Sequence, residues 1–153
     1  MEDTVVQIVA VTEQDLPDLA ELYRQFRGEE SSLAHMLEAF RRLNHDTNYT
    51  ILGVKSGGKL VGSVMGILCE ELYGQCRSFM VVEDMIVDEA HRRKGFGSLL
   101  MRAIEERALL QNCSYLMLVT DSSRRDALAF YKSLGYDPHE YRGFKKYLES
   151  VAK

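Results

Sequence analysis

The sequence is poor in positive charge: 19 lysines and arginines against 23 acidic residues leave a net charge of −4. Proteins that hold nucleic acid carry a basic surface that neutralises phosphates, so the balance argues against that class, and any basic patch has to be local. Cysteine is scarce and odd in number. Cys69, Cys76 and Cys113 are widely spaced, with Cys69 and Cys113 inside apolar runs, which points to reduced thiols in a reducing compartment rather than a disulfide framework or a zinc site. No apolar run approaches the roughly 20 residues that span a membrane, and the opening MEDTVVQIVA is acidic with only a short apolar stretch. A cytoplasmic protein with no membrane partner is therefore expected. His35, His45, His91 and His139 form no pair with metal-ligand spacing, so no metal is expected. Internal repeats, low-complexity tracts and long linkers are also lacking. What is present, 153 residues of which 46% are hydrophobic and 27% charged, suits one globular domain over 1–153 with a single core.

The pattern of apolar residues predicts the elements in order. Residues 5–11 alternate weakly and are β-branched, and Thr12 is placed to cap a helix with Leu16, Leu19, Ala20, Tyr23 and Phe26 on one stripe and Pro17 near its first turn. Gly28 ends that helix. Glu29, Glu30, Ser31 and Ser32 lead to a second helix with Leu33, Met36, Leu37, Phe40 and Leu43 on its buried side. Strands at 49–55 and 60–72 join across Ser56, Gly57, Gly58 and Lys59, a hairpin signal, while Gly62 and Gly66 within the second strand imply a bulge or close packing. A strand at 81–87 precedes a helix carrying Leu100, Met101, Ile104 and Ala108. A strand at 115–119, a helix from about 124 to 134 closed by Gly135, and a final strand at 144–148 complete the chain.

The stretch 81–101, VVEDMIVDEAHRRKGFGSLLM, organises the rest. An apolar strand runs into Arg92, Arg93 and Lys94, and Gly95 and Gly97 fall at the first turn of the following helix. A helix start leaves four N–H groups without intrahelical partners and carries partial positive charge. Glycines let a pyrophosphate approach those groups closely, and the basic residues draw it in. The G-x-G-x-x-G dinucleotide pattern is broken because Leu100 stands at its third glycine, and no phosphate-loop motif of the G-x-x-x-x-G-K type occurs. Arg92, Gly95 and Gly97 instead match the spacing of the acetyl-CoA signature of the GNAT superfamily of N-acetyltransferases, which this chain resembles. Ala127, Phe130, Tyr131, Gly135 and Tyr136 are similar to the second pattern of that family, and the element order resembles its fold: an α/β (α+β) domain with a central mixed, mostly antiparallel sheet flanked by about four helices.

The resemblance implies an acetyl-CoA-dependent N-acetyltransferase that transfers directly to a primary amine of a small molecule or peptide in a ternary complex. It implies that backbone groups of Met85, Ile86 and Val87 hold the pantetheine and thioester, and that Arg92, Arg93, Lys94, Gly95, Phe96, Gly97 and Ser98 hold the pyrophosphate. Tyr131 would hydrogen-bond or protonate the leaving sulfur. Arg124 stands where many members carry a pantetheine-binding asparagine. Strand alternation sends Glu83 and Asp84 to opposite faces, so without a bulge only one of them can face the chemistry, and Glu83 is favoured as the base, directly or through a water. The link 29–32 is placed by the resemblance at the acceptor pocket; with Glu29, Glu30, Glu70, Glu71, Glu83 and Asp84 near the cleft, a cationic amine is expected. The Glu83-to-Val87 strand motif resembles that of glucosamine-phosphate acetyltransferases, and homodimers are common in the resembled family. A catalytically silent acyl-CoA-binding or regulatory module is the alternative from another class, and Tyr131 together with an acid on the cofactor strand favours the enzyme.

Overall fold

Local signals set where the elements begin and end. The structure, a computed structural model, describes residues 4–148. Thr12 opens a 3-10 turn at Glu13–Asp15, where both its N–H (2.9 Å) and its hydroxyl (3.0 Å) donate to Asp15 Oδ2. The chain then enters α1 (Leu16–Arg27), with Pro17 at a position where the missing N–H would have had no partner. Gly28 closes α1 in the left-handed region, φ 74°, where its N–H donates to Arg24 O. Ser32 caps α2 (Leu33–His45). The expected hairpin joins β2 (Tyr49–Ser56) to β3 (Lys59–Cys69), and Gly57 and Gly58 both take positive φ, the two-residue turn that matches strand twist.

Two compact units, Met1–Leu118 and Val119–Lys153, make up the chain. In the first, β1 (Val6–Ala10), β2, β3, β4 (Phe79–Val87) and β5 (Leu116–Met117) lie side by side in chain order. All neighbours are antiparallel except β4 and β5, which are parallel, so the sheet is mixed and mostly antiparallel as expected. On one face α1 and α2 contribute Leu16, Leu19, Leu22 and Phe40 to a cluster with Val11, Leu60 and Ile86. On the other lies α3 (Phe96–Leu110), whose Leu100, Met101, Ile104 and Ala108 are fully buried. The glycines of β3 explain how close α3 comes: a β-carbon at Gly66 would stand 2.7 Å from Met80 Sδ and 2.8 Å from Ile104 Cδ1, and one at Gly62 would press on Val54 and Leu100.

The second unit holds α4 (Arg125–Ser133). Gly135 follows at φ 93°, and the N–H groups of Leu134, Gly135 and Tyr136 turn back onto carbonyls of Tyr131 and Lys132. Two expectations are corrected. The strand foreseen at 115–119 shrinks to the two residues of β5, and residues 144–148 form no strand; Phe144, Tyr147 and Leu148 are exposed. β-Propensity describes fit to a pleated, half-buried surface, and without a neighbouring ladder the same residues stay irregular.

Candidate active site

The decisive feature is a bulge in β4. Opposite Ser63, Val64 and Met65 of β3, the chain of β4 carries Ile86, Met85, Asp84 and Glu83, one residue more than its partner. Asp84 absorbs the extra residue at φ 50°, in the left-handed region that a non-glycine residue enters at a cost. The consequence is a change of face. Met80 lies against Gly66 on the α3 side, whereas Ile86, six residues on, belongs to the α1–α2 cluster; in a regular strand both would share one face. The bulge also leaves β4 open along one edge. β5 pairs only with Met80 and Val81, so among the described residues no strand covers the edge that runs on through Met85, Ile86 and Val87. An extended ligand arm can add to such an edge through backbone groups.

Beyond Val87 the chain makes a 3-10 turn at Glu89–His91 and enters the basic loop. Arg92, Arg93, Lys94 and Gly95 are exposed, Gly97 and Ser98 half-buried, and the Phe96 side chain is buried. Gly95 caps α3 at φ 82° with open space where a β-carbon would stand. The first bond of the helix runs from Leu99 N–H to Gly95 O, so the N–H groups of Phe96, Gly97 and Ser98 precede it. Arg92 Nε donates to Val87 O at 3.3 Å. An open strand edge followed at once by a helix start with glycine and three cations fits acetyl-CoA, with its extended arm and its pyrophosphate.

The turn itself is clamped. Asp88 N–H donates to Val61 O, Asp88 Oδ1 accepts from Gln25 Nε2 at 2.8 Å, and Asp88 Oδ2 meets His91 Nδ1 at 2.5 Å. The Gln25 amide and, after it, the His91 ring hold the Asp88 carboxyl below the usual carboxylate range. No sequence signal marks Gln25, 63 positions from its partner.

On the α1 side of the bulge is a cavity of about 300 Å³ lined by Tyr23, Arg27, Glu29, Glu30, Ser31 and Asp84. It joins the link foreseen as an acceptor wall to one of the two candidate acids of β4. Asp84 lines it and accepts from Arg27 at 3.3 Å, whereas Glu83 is exposed and does not line it. Burial, reinforced by Asp84, pushes the Tyr23 hydroxyl far above its ordinary value, so it stays a protonated donor at neutral pH. Glu70 is exposed and Glu71 half-buried in the β3–β4 connection, and neither lines the cavity.

Arg124 and Tyr131 belong to the second unit. Arg124 is the N-cap of α4, with its N–H on Asp121 O at 3.0 Å. Tyr131 is half-buried, between the rings of Phe130 (5.1 Å) and Tyr136 (6.0 Å), both edge-on.

A strand that opens after a bulge and delivers its chain through a basic glycine loop to a helix start offers unpaired backbone groups and local positive charge side by side. Residues 16–136 match the model of the Acetyltransferase (GNAT) family, and the chain belongs to that family, which uses acetyl-CoA as co-substrate. The uncharacterized protein YdhI of Bacillus subtilis (strain 168) is 28% identical over 75 residues, 49% of this chain and 44% of that protein, so the chain matches less than half the relative's length. A transcriptional regulator from Bacillus halodurans C-125 is 27% identical with a TM-score of 0.87, covering 94% of this chain and all of that one. A glucosamine-6-phosphate N-acetyltransferase from Arabidopsis thaliana, 17% identical, shares the fold at a TM-score of 0.83 over 95% of this chain and 99% of its own.

Proposed function

We propose that the protein, acting over 1–153, transfers an acetyl group from acetyl-CoA directly to a cationic primary amine within a ternary complex. The observation that carries this reading is the cavity beside the β4 bulge, where three carboxylates face one guanidinium. Such a surface favours cations and repels phosphorylated acceptors. Acetyl-CoA supplies an acyl group on a thiolate leaving group. Met85, Ile86 and Val87 hold its arm through backbone groups, and the loop 92–98 holds its pyrophosphate. Asp84, already engaged by Arg27, anchors the incoming cation. Glu83 takes the amine's proton directly or through a water, so that a neutral nitrogen attacks. On the family pattern Tyr131 donates to the departing sulfur and Arg124 contributes to holding the arm.

An amine panel that follows thiol release from acetyl-CoA, spanning polyamines, aminoglycosides, amino sugars, amino-sugar phosphates, amino acids and peptide N-termini, tests the reading. Turnover with cationic amines, weakened by salt through a rise in KM, is expected. Turnover confined to a phosphorylated amino sugar overturns the electrostatic part, and acetyl-CoA binding without turnover of any amine leaves a silent module. Tyr131→Phe is expected to lower kcat by roughly 10²- to 10⁴-fold while acetyl-CoA affinity barely changes, because the hydroxyl acts on charge that develops in the transition state. A Phe variant with parental kcat and a lowered melting temperature would show that Tyr131 is structural.

A further inference from the structure

We propose that Gln25 is a positioning residue for acetyl-CoA: from the acceptor-side helix α1 it sets the place from which the phosphate loop starts. The inference rests on the reading of the loop 92–98 as the pyrophosphate site. The side-chain amide of Gln25 makes two bonds to one turn. Nε2 donates to Asp88 Oδ1 at 2.8 Å, and Oε1 accepts from Glu89 N–H at 3.1 Å. A primary amide is the side chain that offers a donor and an acceptor on one rigid plane, so it fixes a carboxylate and the next N–H together. From Asp88 the path continues through His91, whose ring lies over Phe96 with centroids 6.1 Å apart. Phe96 is the first residue of α3, and its own N–H is one of those offered to the ligand.

The position of Gln25 on α1 gives the contact its meaning. Tyr23 and Arg27, four apart and therefore on one face, line the acceptor cavity. Gln25 lies about 200° round the helix from Tyr23, so a single rigid element touches the acceptor with one side and the cofactor turn with the other. The backbone bond from Asp88 N–H to Val61 O ties the turn to β3, and the Gln25 amide ties the same turn to α1. An ordered loop binds more tightly because the entropy of ordering it has been lost already on folding.

The test compares Gln25→Ala, Gln25→Glu and a control, Arg41→Ala, which removes a pair of bonds to Glu13 elsewhere on the helical layer. Calorimetry with acetyl-CoA is expected to show the dissociation constant raised roughly tenfold in Gln25→Ala, the scale of losing a charge-assisted bond. The acceptor KM and the Arg41→Ala variant are expected to stay at parental values. Gln25→Glu keeps an acceptor for Glu89 N–H but sets a carboxylate against Asp88, with Glu21, Arg24, Glu89, His91 and Lys59 among the charged neighbours. Its dissociation constant for acetyl-CoA is expected to rise at least as far as in Gln25→Ala, because two carboxylates then face each other where an amide and a carboxylate were bonded. Parental affinity in Gln25→Ala, or an equal loss in Arg41→Ala, overturns the proposal; if Gln25→Ala does not fold, parental affinity in Gln25→Glu overturns it as well. Failure of the loop reading appears separately, as parental binding in Gly97→Val, a variant that keeps Gln25.

Discussion

The cofactor loop and the acceptor cavity are built in opposite ways. The loop is contiguous: strand end, turn, three cations, two glycines and a helix start follow one another from Val87 to Ser98, and the groups proposed to hold phosphate are backbone N–H groups that any sequence with this turn would offer. The cavity is assembled from three separate segments, namely Tyr23 and Arg27 on α1, Glu29 to Ser31 in the link, and Asp84 in the β4 bulge. The difference teaches what each region is sensitive to. A continuous turn depends on local backbone geometry alone, whereas a wall drawn from three segments changes with any one of them.

If the comparison holds, substitutions in the two regions affect different substrates. Gly97→Val has the largest expected effect. A branched side chain in the first turn of α3 occupies space the pyrophosphate needs, and a loss of acetyl-CoA affinity of about 100-fold or more, roughly 2.7 kcal/mol, is expected by calorimetry on a variant shown by circular dichroism to be folded. Parental binding would remove the loop from the site.

Asp84→Asn tests the cavity. Asparagine tolerates the left-handed backbone of the bulge, so the fold is kept while the charge goes. About a tenfold rise in acceptor KM with unchanged acetyl-CoA affinity is expected. Glu83→Gln is expected to do the reverse, lowering kcat with little change in acceptor KM. Both variants behaving alike would mean that the bulge does not divide anchoring from proton transfer.

The smallest effect sharpens the contrast from outside both regions. Buried Asp15 is pushed up by burial, but Lys55 at 2.6 Å and the two Thr12 donors outweigh this and hold its carboxyl below the ordinary value. A carboxyl depressed in the folded state adds stability that is full above its unfolded value of about 4 and is lost as pH falls through the folded value. Asp15→Asn is therefore expected to cost about 1–2 kcal/mol at neutral pH and to flatten the acid limb of the melting-temperature profile, with both Michaelis constants unchanged. An altered acetyl-CoA KM would show that the start of α1 is coupled to the loop.

Much of the fold was legible because its signals are local. Thr12 opens the turn that leads into α1, Pro17 and Gly28 bound that helix, the Gly57-Gly58 turn dictates the hairpin, and Arg92, Gly95 and Gly97 announce the helix start in eleven consecutive residues from Val87 to Gly97. The bulge was not legible. Nothing in Glu83-Asp84-Met85 distinguishes a regular strand from one with an extra residue, because the mismatch exists only against β3. The strand expected at 144–148 failed for the complementary reason: apolar alternation was present but a ladder partner was not.

By itself, then, the amino-acid order determined the helices, the hairpin, the cofactor loop and through them the family, since capping, turn chemistry and unpaired N–H groups act over a few residues. Only the tertiary structure decided that Asp84 rather than Glu83 lines the cavity, that Arg27 reaches it, and that Gln25 grips the turn at Asp88. Those outcomes depend on which surfaces the sheet brings within 3 Å or so of one another, and hydrogen bonds fall off too steeply with distance for spacing along the chain to foretell them.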